Sequence, residues 1–494
     1  MGANTTTPDF LIIDLFCGAG GTTTGAEASG VCKVIAAINH DPLAIASHAA
    51  NHADVLHMTE DILIADIEPI RQAVIRWKRR HPAARLIIWA SLECTNFSNA
   101  KGGLPRDADS RTLAHGLFRY LDALNPDYLL IENVREFMAW GDLDENGKPV
   151  SKLNGREYIR WVKQVQSYGY NHDWRLLNAA NFGGVTIRER YFGAFWKPGQ
   201  PFAWPQPTHA KRPAKGNLFQ DTLKPWRAVA EVLDFSDLGK SIFDRPRPLV
   251  DKTLRRILVG LQKFHTQPQI MVCNSPGYCV DVNRPIPALT TVNSKALVTP
   301  FMMQYNGQGI GQKTSQPAGA ITTRDRFALV TPWIDRSFRS GRSQPVTEPA
   351  GALLTVPKIS LCSAFIINPQ YRNPGSPVSA PAPTVIATQK SRPLALACTI
   401  HAGQPKWAIA PGDSPVMIEL KTFMQENGIA DILMRMLKIV ELKRIQGFPD
   451  EYVLMGPKNE QKKFIGNSVV TDLVKAWLRA MASESRHFSF LQSN

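Results

Sequence analysis

Four places in the chain combine residue types that could do chemistry. Asp14-Leu-Phe-Cys-Gly-Ala-Gly-Gly21 follows an apolar run. Its glycines allow a tight turn and a close approach of backbone to a ligand ahead of a helix. The Gly-Lys-Ser/Thr ending of a phosphate loop is missing, so the ligand need not carry a phosphate. Cys94 stands in Ala90-Ser-Leu-Glu-Cys-Thr-Asn-Phe-Ser98, just after Leu86-Ile-Ile-Trp89. A thiolate is a strong nucleophile near neutral pH, although most cysteines at strand ends are merely buried. Glu132 closes the apolar run Tyr128-Leu-Leu-Ile131; in an ordinary sequence such a carboxylate is solvated. Arg188 and Arg190 flank Glu189.

These residues sit at the ends of elements that the pattern defines. Phe10–Phe16, Val34–Ile38, Leu86–Trp89 and Tyr128–Ile131 read as short buried strands, with helical patterns such as Pro42–Asn51 and Pro69–Arg80 between them. This alternation predicts an α/β fold with a parallel sheet covered on both faces. Ligands of such sheets bind at the carboxyl ends of the strands, where the first three of these groups lie.

After about Lys197 proline becomes frequent and helical patterning scarce, apart from Thr253–Phe264. A repeat then appears: Pro285-Ile-Pro-Ala-Leu-Thr-Thr291 recurs from Pro317, from Pro349 and, more weakly, from Pro381, always 32 residues on. Units of this period stack to share a core, so the region is expected to be a β-rich array. It could be only structural. It could also present the basic turn residues Lys295, Arg324, Arg326, Lys358, Lys390 and Arg392 to a ligand. Helical patterning returns near Asp431, with Leu433, Met436, Leu437, Val440 and Leu442 on one stripe ending before Gly447. A last helix is expected near Val469–Met481.

Composition narrows the class. The chain has 57 Lys plus Arg against 42 Asp plus Glu, a net charge of +15, which favours a polyanion such as nucleic acid. Seven cysteines in 494 residues suit a reduced compartment and not a disulfide scaffold. No apolar run reaches the ~18 residues of a membrane span. Met1–Asp9 lacks the pattern of a secretory leader. A cytoplasmic protein with no membrane partner is expected.

The order of motifs is more specific than any one of them. Asp14–Gly21 closely resembles the first block of the DNA (cytosine-5)-methyltransferases. Glu132-Asn-Val134, Arg188-Glu-Arg190, Arg444-Ile-Gln-Gly-Phe-Pro449 and Gly466-Asn-Ser-Val469 resemble later blocks, in the family's order. The resemblance covers about residues 10–200 and 430–480. It implies a Rossmann-like S-adenosylmethionine-dependent methyltransferase sheet. A second, β-rich target-recognition domain containing the 32-residue repeat would complete the chain. The boundaries expected are 1–200 for the catalytic and cofactor-binding domain and 201–425 for target recognition, with repeats at about 285–397. Residues 426–494 would return to the catalytic domain.

The resemblance also implies roles. Cys94, Phe97 and Ser98 match the nucleophile block, while Glu93 stands where Pro is usual and Thr95 where Gln is usual. A neighbouring carboxylate would raise the thiol pKa unless paired or turned away. Cys94 would add to C6 of cytosine, Glu132 would contact the N3/N4 edge, Arg190 would hold O2 and Arg188 would support it. Thr186 replaces a usual Gln. Asp14, Phe16, Gly18, Gly20, Asn39, Asp61, Asn467 and Val469 would hold S-adenosylmethionine, leaving S-adenosylhomocysteine as product. Asn39 stands where an acidic residue usually meets the ribose. Ser98, Lys101 and Arg106, in a loop rich in small residues, would meet DNA, as would Arg324 and Arg326. No metal is expected. The implied partner is double-stranded DNA, met by a monomer from a prokaryote or phage, with a cognate restriction endonuclease as a further candidate partner.

Two other classes remain at this level. An amino methyltransferase needs an Asp/Asn-Pro-Pro-Tyr-like site, and Asn125-Pro-Asp-Tyr128 and Asn368-Pro-Gln-Tyr371 lack the second Pro. A non-enzymatic, methyltransferase-like DNA-binding protein is conceivable from Glu93 and Thr95, but the joint presence of Cys94, Glu132 and Arg190 argues against it. An RNA substrate suits the large insert less well than a duplex.

Overall fold

The computed structural model describes residues 7–92, 113–141, 155–213, 223–265 and 407–493 apart from isolated positions. Between 266 and 406 it describes short strand segments only. The chain divides into two compact units, one of residues 1–225 with 446–494 and one of residues 226–445.

The first unit is built on a seven-stranded sheet. Its strands are β1 (Phe10–Leu15), β2 (Cys32–Ile38), β3 (Leu56–Met58), β4 (Arg85–Ser91), β5 (Tyr128–Asn133), β6 (Asn171–Asn178) and, beyond a two-residue β7 (Thr186–Ile187), β8 (Glu189–Trp196). The order across the sheet is β3-β2-β1-β4-β5-β8-β6. The strands from β3 to β5 run parallel. Helices α1 (Gly21–Ser29), α2 (Pro42–Asn51), α3 (Glu68–Arg80), α4 (Leu117–Leu124) and α5 (Arg156–Gln166) make the connections. This is a Rossmann-like sheet, of the kind the resemblance implies.

The strands read as unbroken apolar runs because both faces are covered. Leu11, Ile13 and Leu15 of β1 join Leu86, Ile88 and Ala90 of β4 in one cluster, closed by Ile70, Leu117 and Trp161 from α3, α4 and α5. Phe10 and Ile12 join Ile87, Trp89, Tyr128 and Leu130 on the other face. There the C-terminal helix Thr471–Ser493 supplies Leu473, Trp477 and Met481. Helix α2 begins where it should: Pro42 takes the first turn, and Asp41 Oδ1 accepts from the amides of Leu43 and Ala44 at 3.0 and 3.3 Å, satisfying two orphan donors.

Two features differ from the sequence expectation. The sheet is mixed: β8 inserts antiparallel between β5 and β6. The connection from Asn178 to Glu189 is too short for a helical crossover, so the two strands pair as neighbours of opposite direction. The stripe after Asp431 is not one helix. Asp431–Arg435 is a strand and Ile439–Gln446 a helix. Leu433 and Val440 share a helical spacing by coincidence across two elements.

In the second unit Ile359–Ile367 pairs antiparallel with Ala395–His401, which pairs antiparallel with Asp431–Arg435. On its other side Ile359–Ile367 pairs with Phe301–Met302 and Trp333–Arg336. Phe301, Phe365 and Ala397 are register partners, at spacings that are multiples of the 32-residue sequence period. Helices Asp251–His265 and Pro415–Glu426 accompany this sheet, the second of them unannounced by the proline-rich sequence around it. The basic turn residues of the repeat lie outside the described residues.

Candidate active site

The chain leaves β1 for β2 and β3 on one side of the sheet and returns through β4 and β5 on the other. A crevice opens at such a reversal, beyond the carboxyl ends of the strands. There the structure holds a cavity of about 250 Å³. Its wall includes Phe16, Gly18, Asn39, Glu132, Arg188, Arg190, Asn467 and Val469, bringing together eight of the residues singled out in the sequence.

The turn after β1 is shaped for close approach. Phe16 adopts φ 58° and Gly20 φ 97°. The left-handed region costs a bulky side chain about 1–3 kcal/mol, a strain that tends to be kept at functional sites. Gly20 caps α1, and a Cβ there would lie 2.3 Å from the hydroxyl of Tyr452. Gly20 and Asp14 therefore stand behind the cavity wall. Asp14 is fully buried, and burial pushes its carboxyl up to about 7.

At the far wall, antiparallel β8 decides the geometry. Its first residues lie beside the last residues of β5, with Tyr191 opposite Asn133. Arg188 and Arg190 thereby reach the Glu132 carboxylate, and Arg190 Nε is 3.6 Å from Glu132 Oε1. Glu132 is only 5% exposed, against the ordinary expectation of a solvated carboxylate. Burial pushes its pKa up, and the Arg188 and Arg190 cations pull it back only in part. Arg188 is buried and donates from Nη1 to the Gly466 carbonyl at 3.2 Å. Ser91 and Leu92, which precede Cys94 in the chain, also line the cavity.

The remaining wall comes from the end of the chain. Helix Lys458–Asn467 and the following Ser468-Val469 face the turn after β1. Gln446 fixes this segment, donating from Nε2 to the carbonyls of Ile465 and Ser468 at 3.1 and 2.7 Å. Lys463 lines the cavity and pairs with Asp41 at 2.9 Å. Neither residue was picked out by the sequence; the one signal was that Gln446 sits inside a quoted block and Lys463 just before another. Asn39 Oδ1 accepts from the Asp41 amide at 2.9 Å, so its amide nitrogen is what it can offer a ligand.

Asp61 is exposed and is not among the lining residues; its Oδ1 accepts from the Leu63 amide at 2.9 Å. Cys94, Ser98, Lys101, Arg106, Arg324 and Arg326 lie outside the described residues. No group of three or more His, Cys, Asp or Glu suited to a metal occurs among the described residues. No helix among them is long and apolar enough to cross a membrane.

The wall offers amide groups to a polar ligand. Asn133 is buried there, and its Nδ2 has no hydrogen-bond partner among the described residues. Asn39 offers a second amide.

The chain is similar to several known proteins. Type II methyltransferase M.AquIA of Picosynechococcus sp. is 27% identical over 232 residues, covering 45% of this chain and 87% of the relative. Type II methyltransferase M.XorII of Xanthomonas oryzae pv. oryzae is 30% identical over 200 residues. That match covers 40% of this chain and 43% of the relative, so the chain spans under half of M.XorII. The crystal structure of S. pombe Dnmt2 methyltransferase is 12% identical and superposes with a TM-score of 0.46 over 96% of this chain and 98% of that one. The pattern of the C-5 cytosine-specific DNA methylases matches residues 10–231 and 379–483, well over half of the sequence, and the chain belongs to that family.

Proposed function

We propose that the protein transfers a methyl group from S-adenosylmethionine to C5 of a cytosine flipped out of duplex DNA, through a transient bond between Cys94 and C6. The observation that carries this reading is the single cavity in which Glu132, Arg188 and Arg190 face Phe16, Gly18, Asn39, Asn467 and Val469.

S-adenosylmethionine would supply an electrophilic methyl on a sulfonium. The turn at Phe16–Gly20, with Asn39 and the Asn467–Val469 segment, would hold it. Each protein group then has a task set by its surroundings. The Cys94 thiolate adds to C6, which places an electron pair at C5, otherwise a weak nucleophile. Glu132, kept protonated to higher pH by burial, donates to N3 as negative charge builds on the ring. Arg190, held beside Glu132, opposes that charge at O2, and Arg188 fixes the Gly466 end of the wall. After transfer the C5 proton leaves to a base, the Cys94 sulfur departs as thiolate, and N3 returns its proton to Glu132, restoring the aromatic ring. The base must leave the duplex first, because its C6 face is stacked inside. Ser98, Lys101 and Arg106 would contact the DNA around the opened pair. The repeat region within 201–425 would read flanking bases.

Bisulfite sequencing of DNA from cells expressing the chain tests the reaction directly. Protected cytosines in a fixed sequence context are expected. Their absence, with methylation instead at adenine N6 or cytosine N4, would favour the amino methyltransferase reading.

A further inference from the structure

Behind the turn after β1 lies a buried line of hydrogen bonds that the transfer chemistry does not use. Thr23 Oγ1, on α1, donates to Asp14 Oδ2 at 2.9 Å. The same Oγ1 is 2.9 Å from His48 Nε2, on α2, and His48 Nδ1 is 2.8 Å from His57 Nε2, on β3. Asp14 and His48 are buried outright, while His57 is half-buried.

Proton counting fixes the direction of this line. Thr23 has one hydroxyl proton. With Asp14 ionised, that proton goes to the carboxylate. His48 must then donate from Nε2, and neutral His48 accepts at Nδ1 from His57 Nε2–H. With Asp14 protonated, the acid proton is given to Thr23, Thr23 turns its own to His48 Nε2, and His48 Nδ1–H is given to His57 Nε2. The heavy atoms stay in place. One proton entering at His57 Nδ1 and one arriving on Asp14 balances the change, through one hop at each link.

The other groups around the line are committed elsewhere. His52 Nδ1 is 2.8 Å from Glu27, and its Nε2 is 3.3 Å from both Thr24 Oγ1 and Tyr452 Oη. Those two hydroxyls donate to the carbonyls of Gly20 and Ala19 at 2.7 and 2.6 Å. Lys33 pairs with Glu27 and Asp54. Beside Asp14, the neighbouring strands present Ala37 and Trp89, and the turn presents Cys17. Asp14 Oδ1 has no hydrogen-bond partner, and no ion pair involves Asp14 among the described residues.

We propose that Thr23, His48 and His57 are positioning residues that form a reversible hydrogen-bond relay to Asp14 and so set the charge behind the cofactor turn. This rests on the methyltransferase reading. An ionised Asp14 favours the sulfonium cation of S-adenosylmethionine over the neutral thioether of S-adenosylhomocysteine; a protonated Asp14 does not. Burial places the Asp14 change at about pH 7. Burial also keeps His48 and His57 neutral below the usual imidazole range, with neighbouring histidines adding to it, so both can switch tautomer without charging.

Imidazole nitrogen spectra of the wild-type protein, labelled at histidine, test the relay. His48 is expected to pass from the Nδ1–H to the Nε2–H tautomer as pH rises through about 7; one tautomer throughout overturns the proposal. Calorimetry with S-adenosylmethionine and S-adenosylhomocysteine from pH 6 to 8.5 is the second arm. Wild type should prefer the sulfonium form several-fold more above the midpoint than below it. Thr23→Val removes a hydrogen bond that stabilises the carboxylate, so its midpoint should move to higher pH, and Thr23→Ser should restore it. Asp14→Asn should show the low preference at every pH. A Thr23→Val curve matching wild type also overturns the relay. Failure of wild type to bind S-adenosylmethionine at any pH would instead sink the methyltransferase reading, and the tautomer spectra separate the two.

Discussion

Ser91 and Glu132 are register partners at the carboxyl ends of β4 and β5. The strand that precedes Cys94 in the chain therefore ends beside the buried carboxylate. Cys94→Ala should reduce methyl transfer to background while leaving DNA affinity within a few-fold of wild type. DNA with 5-fluorocytosine at the target should give a covalent complex with wild type only, since fluorine cannot leave C5 as a proton does. A gel shift resistant to denaturant reads this out; normal turnover by Cys94→Ala would remove the mechanism.

Glu132 has its pKa raised by burial, so it holds its proton to higher pH than an exposed glutamate. If the proton is what N3 receives, single-turnover transfer falls on the alkaline side as that proton is lost. Glu132→Gln should be slower by 10²-fold or more, in the ordinary range of a lost general acid, and should lack that alkaline limb. A loss of S-adenosylmethionine affinity at unchanged single-turnover rate would reassign Glu132 to cofactor binding.

Asp14 also carries a stability signature. Its folded pKa of about 7 lies above the unfolded value, so the folded state binds the extra proton. The resulting stability is full below the unfolded pKa and is lost as pH rises through 7. Asp14→Asn removes the cost of ionising a buried acid. Its melting temperature should gain on wild type between pH 4 and 8, the free-energy gain reaching at most about 4 kcal/mol. A constant difference across that range would show that Asp14 ionises freely.

Gly25 allows α1 to lie against the C-terminal helix. A Cβ there would stand 2.6 Å from the Thr471 carbonyl and 2.7 Å from Val474 Cβ. Alanine is the better helix former by up to about 1 kcal/mol, but overpacking against backbone costs about 1–3 kcal/mol and should win. Gly25→Ala is expected to lower the denaturation midpoint and weaken S-adenosylmethionine binding together, because the displaced helix follows directly on Val469.

Arg324 and Arg326 test the recognition role of the repeat. If they meet phosphates, the double alanine variant should weaken binding to all sequences and flatten the salt dependence by roughly one unit of slope per lost contact. If they read guanines, the loss should fall on one position of the site at about 1–3 kcal/mol. Binding to a randomised pool at several salt concentrations distinguishes these. An unchanged pool profile would leave the array as a spacer.

Much of the sheet was legible because burial on both faces writes strands as apolar runs, as in Phe10–Leu15 and Tyr128–Asn133. Pro42–Asn51 was legible as a helical pattern between two apolar runs. The burial of Glu132 was not, since it depends on Arg188 and Arg190 arriving from a strand whose direction no local pattern encodes. Strand Asp431–Arg435 was hidden by a false helical stripe. The Lys463–Asp41 pair and the Gln446 clasp span long sequence separations, which periodicity cannot reveal. Motif order pointed to most of the cavity wall, yet Asp61, chosen in the same way, is not part of it.

The division of the first unit between residues 1–225 and 446–494 has a consequence for synthesis. Leu473, Trp477 and Met481 cover one face of the sheet, and they are made only after the second unit. At roughly 5–20 residues per second, the ribosome needs on the order of 10–45 s to translate the intervening segment. For that interval the nascent sheet carries an uncovered apolar face, a natural substrate for a chaperone. The turn after β1 also waits for its opposite wall. The cavity is therefore complete only once the helix Thr471–Ser493 is made, and a chain cut before that helix should aggregate.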